Sequence, residues 1–321
     1  MSDIVTWAII GAGIVLASND GGFTSSGCVA AQEKFLHKQG LPVTPRVRGV
    51  VRQRLESRGS AAQKLGGAGL VAGLGAASVA QMLGHGNLTV FLMLACLTVG
   101  LSAGTVIGSE RLAADPDPQG PRVARTREVT VADYLTRAER AAVWVSAGCV
   151  VVSAGIAAVV GSLSPAAPEV LAFVGLCVLA VVSLGAMTGC AVAACRVVRR
   201  PQRAASDLHL AWDDAIRTGA VRELNDLAVL IALVAVLALH LTAAEWVMAP
   251  EVRVQGMDLT AILGATAGIA GLVCWILTAA VWLPGRLTDN PSRANLWAGR
   301  DFTTGDDGCL LYTSPSPRDR G

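Results

Sequence analysis

Charge is scarce in this chain. Only 16% of its 321 residues are Asp, Glu, Lys or Arg, against roughly 25% in a soluble domain, too few to clothe a water-facing surface. Aromatic residues are scarcer still, at 4%. A net charge of +2 gives no basic face with interleaved aromatics, so nucleic-acid binding is not expected. Lysine nearly vanishes: Lys34, Lys38 and Lys64 stand against 23 arginines. With abundant Ala, Gly and Val, that bias is the composition of a high-GC genome. The eight cysteines lack zinc spacing. Cys190 and Cys195 are five apart, and Cys96, Cys149, Cys177 and Cys274 sit in apolar runs, where a thiol packs as a small apolar group. Neither a disulfide framework nor a metal or cofactor site is expected.

What the chain has is apolar length. It is 53% hydrophobic, with mean hydropathy +0.53. Spanning ~30 Å of hydrocarbon takes about 20 helical residues. Six runs reach that length: Gly66–Met82 with its flanks, Leu88–Gly108, Ala141–Leu163, Val170–Ala194, Leu227–Met248 and Leu259–Leu283. A seventh, Ile4–Ala17, rises only about 21 Å and needs local thinning of the bilayer to span. It lacks the basic segment that precedes a signal peptide's apolar core; the nearest charge is Asp3. The expected fold class is all-α: a polytopic transmembrane helix bundle of six to seven spans, with short cytoplasmic amphipathic helices.

The expected organisation is as follows. Residues 1–36 hold the short apolar segment and a linker, and 37–65 a basic amphipathic helix. Transmembrane hairpins at 66–108, 141–194 and 227–283 are separated by charged loops at 109–140 and 195–226, and a tail covers 284–308. Arg and Lys set the orientation. All but Arg253 lie in the long segments or the tail, so these are expected in the cytoplasm, the short turns outside, and the protein in the plasma (inner) membrane of a bacterium. With seven spans the N-terminus lies outside, which suits Asp3.

Each loop carries helix signals. Thr44-Pro45 reads as an N-cap followed by a first-turn proline. Val47, Val50, Val51 and Leu55 then recur at helical spacing among Arg46, Arg48, Arg52 and Arg54. Thr130 to Asp133 resembles a capping box. Ser206 can cap a helix whose apolar stripe is Leu208, Ala211, Trp212, Ala215 and Ile216. Arg46, Arg48, Arg52 and Trp212 are therefore expected to form a lipid or partner surface. They would meet anionic headgroups at the cytoplasmic face of the bilayer, or a membrane or cytosolic protein partner. An amphipathic helix plus a hairpin recurs three times without residue-level identity, and the units share one orientation, unlike the inverted repeats of many transporters.

Chemical motifs are thin. TWAIIGAGIVL imitates a dinucleotide-binding turn through Gly11 and Gly13, but its third glycine position is Leu16 and no βαβ pattern follows. Glycines four apart, at Gly69/Gly73, Gly100/Gly104, Gly185/Gly189 and Gly264/Gly268, let helices approach closely and are expected to serve packing. His240 is the one ionisable residue expected inside a span, near its outer interface, with Glu245 five residues beyond it. Asp213-Asp214 and Asn225-Asp226 imitate diphosphate–Mg²⁺ sites, but Arg217 and Val229 stand where a second ligand is needed. A solvated face is the expected reading. No catalytic residue is nominated.

The stretches GLPVTPRVRGVVRQRLESRG, RVARTREVTVADYLTRAER and LAWDDAIRTGAVRELNDLA resemble uncharacterised multi-pass membrane proteins of actinobacteria, over most of residues 39–283. That resemblance implies no activity. CLLYTSPSPRD, Cys309–Asp319, resembles a translated transposase sequencing adapter in a single frame. Residues 309–321 are therefore set apart from functional reasoning as an expected artefact. The leading functional expectation is a non-catalytic accessory or scaffold component of a membrane complex. A permease or channel for a small or apolar solute is the alternative, and an intramembrane enzyme the least favoured.

Overall fold

The computed structural model describes residues 33, 36, 39–82, 93, 96, 97, 99, 100, 103, 104, 107, 128–163, 170–200, 202, 206–248, 259–287, 290–300 and 302. Among them there is no strand. The helices are α1 (Pro45–Met82), α2 (Val131–Tyr134), α3 (Arg137–Leu163), α4 (Val170–Arg199), α5 (Asp207–Met248), α6 (Leu259–Leu287) and α7 (Pro291–Leu296). Ile4–Ala17 and Cys309–Asp319 lie outside the described residues, as does most of Leu88–Gly108.

Four helices are long and apolar enough to cross a membrane, through Arg137–Ser162, Phe173–Arg199, Asp207–Leu241 and Gly268–Gly285. The outer faces of the first, second and fourth carry Val151 and Val159, Val181 and Val182, and Leu272 and Ile276, all exposed. In water an apolar patch of that extent marks an interaction surface; lipid is the solvent that accepts it all round. The chain is a membrane protein. Gly66–Met82 is helical, as the second half of α1.

α5 is the axis of the bundle. In its most apolar stretch 61% of residues are buried, against 17% for α6. α3 and α4 both lean on α5, while α6 packs on α3 and α5. Small residues make this possible: Ala228, Ala232, Ala235 and Val236 of α5 meet Cys149 and Val150 of α3, Ala180 and Met187 of α4 and Cys274 of α6. Several hydroxyls inside the apolar helices bond to the preceding turn, as Ser146 does to the Ala142 carbonyl (2.6 Å) and Ser183 to that of Leu179 (2.7 Å).

Two sequence expectations need correction. The basic segment 37–65 and the Ser206-capped segment do not stand as separate amphipathic helices. α1 and α5 run unbroken for 38 and 42 residues. At 1.5 Å per residue, α5 is about 63 Å long, twice the hydrocarbon thickness, so its first half extends straight out of the span. Nothing between Ser206 and Asp226 breaks the helix: the stretch holds one glycine, Gly219, and no proline.

The glycines divide into two kinds. A Cβ at Gly69 or Gly100 would overlap the backbone carbonyl of Cys96 or of Leu65, and one at Gly104 would overlap Ala61 and Ala62. At Gly73 it would lie 2.8 Å from the Met93 Cα. These four form a close crossing between α1 and the helical residues Met93, Cys96, Gly100 and Gly104, within one chain. Gly185, Gly189 and Gly268 meet nothing within 4 Å and face outward. Gly264 lies in α6, with surroundings outside the described residues.

Candidate functional site

Alternating helix directions bring the start of α3, the end of α4, the first half of α5 and the end of α6 to one arginine-rich end. At its centre is Asp214, 0% exposed. Its Oδ1 accepts from the Tyr134 hydroxyl (2.9 Å) and the Gln202 amide (2.6 Å), and its Oδ2 from the Trp297 indole N–H (2.9 Å). Three donors from three separate stretches replace the water a carboxylate would otherwise hold. The expected solvated face is thus wrong at this residue. Next to it Arg217 pairs with Asp213 at 2.8 Å. Arg217 Nη1 also donates to the carbonyls of Val197, Val198 and Arg200 at 3.3, 3.2 and 2.8 Å. It thereby caps the C-terminus of α4, where orphan carbonyls and the helix dipole both favour a cation.

One layer deeper, Glu139 and Arg222 form a buried ion pair, Nε to Oε1 2.8 Å, with side chains 1% and 10% exposed. The contact is close, but its angle is not that of an aligned hydrogen bond. The other carboxylate oxygen accepts the Thr136 N–H (2.8 Å), while the Thr136 hydroxyl accepts the Glu139 N–H (3.1 Å). That reciprocal capping box opens α3. Arg222 donates to the Gly285 carbonyl and Asn225 to that of Glu139. Gly285 has no room for a side chain, since a Cβ there would come 2.6 Å from Glu139 Cγ. The Trp282 indole of α6 reaches Asp226 at 2.8 Å.

Chain segments far apart in sequence close the cap. Trp212 is 2% exposed and donates to the Pro42 carbonyl at 3.2 Å. Its stripe packs against Leu36, Leu41, Val43, Trp297 and Phe302. Trp212 therefore belongs to no lipid surface: protein covers the face that lipid was expected to cover. Asn290 caps α7 through Ser292 and pairs with Gln39. Arg293 donates to the Gly40 carbonyl at 2.9 Å. Gly40 has φ +61°, a conformation that favours glycine. Asn295 donates to the Asp133 carbonyl, and Asp133 closes the Thr130 box. Of the other expected surface residues, Arg48 is exposed and Arg52 makes a solvated pair with Glu56, of a kind contributing only about 0.3–0.5 kcal/mol. Arg46 lies in α1, its side chain outside the described residues.

His240 sits apart from this end. It is buried, its Nδ1 2.8 Å from the Val236 carbonyl. A carbonyl only accepts, so Nδ1 is the donor of this contact. Nε2 has no partner among the described residues. The ring lies against Gly271 of α6, where a Cβ would come within 3.0–3.4 Å of it. One turn along α6, the Cys149 thiol faces the Cys274 carbonyl at 3.8 Å and Thr278 faces Cys149 at 4.0 Å. Glu245 lies on α5, its surroundings outside the described residues. No group of three metal-ligating side chains occurs among the described residues.

The structure thus gathers Asp213, Asp214, Arg217, Glu139 and Arg222, which the sequence reading left unassigned or solvated, and does not join His240 to them. The one overlooked local signal was Thr136-x-x-Glu139, a capping-box spacing just ahead of a span. No protein-family model, curated protein or solved structure matches the chain.

Proposed function

We propose that the chain is a non-catalytic multi-pass protein of a bacterial cytoplasmic membrane, acting as an accessory or scaffold subunit. Its arginine-rich end faces the cytoplasm as an ordered platform. The observation that carries this reading is Asp214. A fully buried carboxylate, held by donors from α2, the loop before α5 and the segment after α7, fixes those stretches in one surface. A fixed surface built from loops is what a docking partner needs, and it does no chemistry. Six or seven spans follow if Gly66–Met82, Leu88–Gly108 and Ile4–Ala17 cross as well.

The test is purification of the tagged chain in mild detergent beside Trp297→Ala, which frees one arm of the cap and leaves the spans alone. A protein held at constant stoichiometry by the wild type, and lost from the variant, supports the reading. A chain that purifies alone under several growth conditions overturns it. Orientation is tested separately, on a background without reactive native thiols. Gly86→Cys and Ala167→Cys should react with an impermeant thiol reagent in intact cells, and Gly59→Cys and Ala294→Cys only after lysis. The reverse pattern would invert the topology.

A second reading, a permease or channel for a small or apolar solute, draws on His240. The imidazole Nε2, without a partner among the described residues, offers a polar solute or a water one hydrogen bond between α5 and α6 in an otherwise apolar interior. Solute-dependent protection of His240→Cys from alkylation would favour it over the scaffold.

A further inference from the structure

α3 and α4 lean on α5 more than on each other, and a groove of about 220 Å³ remains between them at the arginine-rich end. Val143 and Trp144 of α3 form one wall, Met187 and Ala191 of α4 the other, and Leu224 of α5 lies in the floor. Nearly all of the lining is apolar. The groove opens onto the outer face of the bundle, where Trp144 is 79% exposed. Its walls run from Met187 to Cys195 on α4, about 12 Å along the helix axis.

Arg140 lies in the lining as well. It is in the first turn of α3, exposed, and no described side chain pairs with it. It contrasts with Arg217 and Arg222 at the same end, which are spoken for by Asp213 and Glu139. A guanidinium without a partner among the described residues, at the mouth of an apolar slot and at the depth where span meets loop, matches one ligand chemistry. An acyl chain fills the slot while a phosphate meets the cation, which suits planar, bidentate recognition of phosphate. We infer that this groove is a binding site for one anionic phospholipid, its headgroup phosphate on Arg140 and an acyl chain between α3 and α4.

The expected lipid surface around Trp212 is closed by protein, and Arg140 with its groove supplies an open one at the same end. This inference rests on the membrane reading alone. It needs neither a scaffold role nor a particular side for the arginine-rich end, and its test uses the purified chain without partners.

The test is native mass spectrometry of the delipidated chain offered equal phosphatidylglycerol and phosphatidylcholine. The wild type should retain one phosphatidylglycerol in preference. Arg140→Gln should lose about tenfold in that preference, equivalent to about 1.4 kcal/mol, with phosphatidylcholine binding unchanged. Ala191→Trp, which fills the slot from an exposed position, should abolish retention of the bound lipid while the thermal transition stays within a few degrees of wild type. Equal retention of both lipids by the wild type overturns the inference. So does undiminished preference in Arg140→Gln, or lipid retention by a folded Ala191→Trp. A wild-type dimer that Ala191→Trp dissolves would instead assign the groove to a second copy of the chain.

Discussion

The two ends of the four-helix bundle hold together by different means. At the arginine-rich end, buried charge is matched group by group: Glu139 with Arg222, Asp213 with Arg217, and Asp214 with Tyr134, Gln202 and Trp297. Toward the other end the contacts are apolar and small, Ala157, Val160 and Leu176 against Leu239 and Ala243, with His240 the one ionisable side chain described there. Polar matching is directional and fails if one member is removed. Small-residue packing is non-directional and tolerates exchange so long as volume is kept. The first end should therefore be brittle to single substitutions and the second forgiving.

The largest expected break is at the buried ion pair. Arg222→Ala leaves the Glu139 carboxylate without its cation and should cost about 3–5 kcal/mol, read by SDS-induced unfolding of the purified chain in mixed micelles. A loss below about 1 kcal/mol would mean that water reaches Glu139 and that the pair is not sealed. Tyr134→Phe removes one donor from Asp214 and should cost about 1.5–3 kcal/mol, the range for hydrogen bonds to charged groups. The same unfolding assay checks it. If Tyr134→Phe proves neutral, Asp214 is not the hub described above.

The glycine crossing beside the bundle sharpens the contrast. Gly100→Ala drives a methyl into the Leu65 backbone and should cost about 1–3 kcal/mol as overpacking. Gly189→Ala meets open space and should be neutral or gain up to about 1 kcal/mol of helix propensity. Measured side by side, equal effects would contradict the division of glycines into packed and outward-facing. The smallest effect should be at His240. His240→Leu exchanges an unmatched polar group for an apolar one and should leave stability unchanged or slightly raised. A marked loss would reveal a partner for Nε2, such as an ordered water.

Much of the architecture was legible in the chain. The four spans of the bundle follow from apolar length. α1 begins at Pro45, the proline read as a first-turn residue, and the Ser206 cap is made by its hydroxyl and the His209 N–H at 3.2 Å. Such signals are local, and local sequence carries them. What covers an amphipathic stripe is not local. Leu208, Ala211 and Trp212 said only that something apolar would lie on them, and lipid and protein satisfy that requirement equally. The same limit applied to Asp214, whose partners Tyr134 and Trp297 stand 80 and 83 residues away. A charged pair of residues reads as solvated until the fold brings donors to it. His240 was legible as an ionisable residue within a span, but not its burial, because the Gly271 face of α6 that covers it is 31 residues away in the chain.

The reach of the Trp297 contact has a consequence in time. Asp214 leaves the ribosome 83 residues ahead of the indole that completes its shell. At ~5–20 residues per second, that delay is about 4–17 s. During it the rest of α5 and all of α6 have still to be made, so the carboxylate depends on water and the base of α5 stands unsealed. The four spans can assemble before this closure, but the platform cannot. Segment 290–300 is then a late clasp, and any factor that surveys the nascent chain within those seconds meets a bundle still open at its polar end.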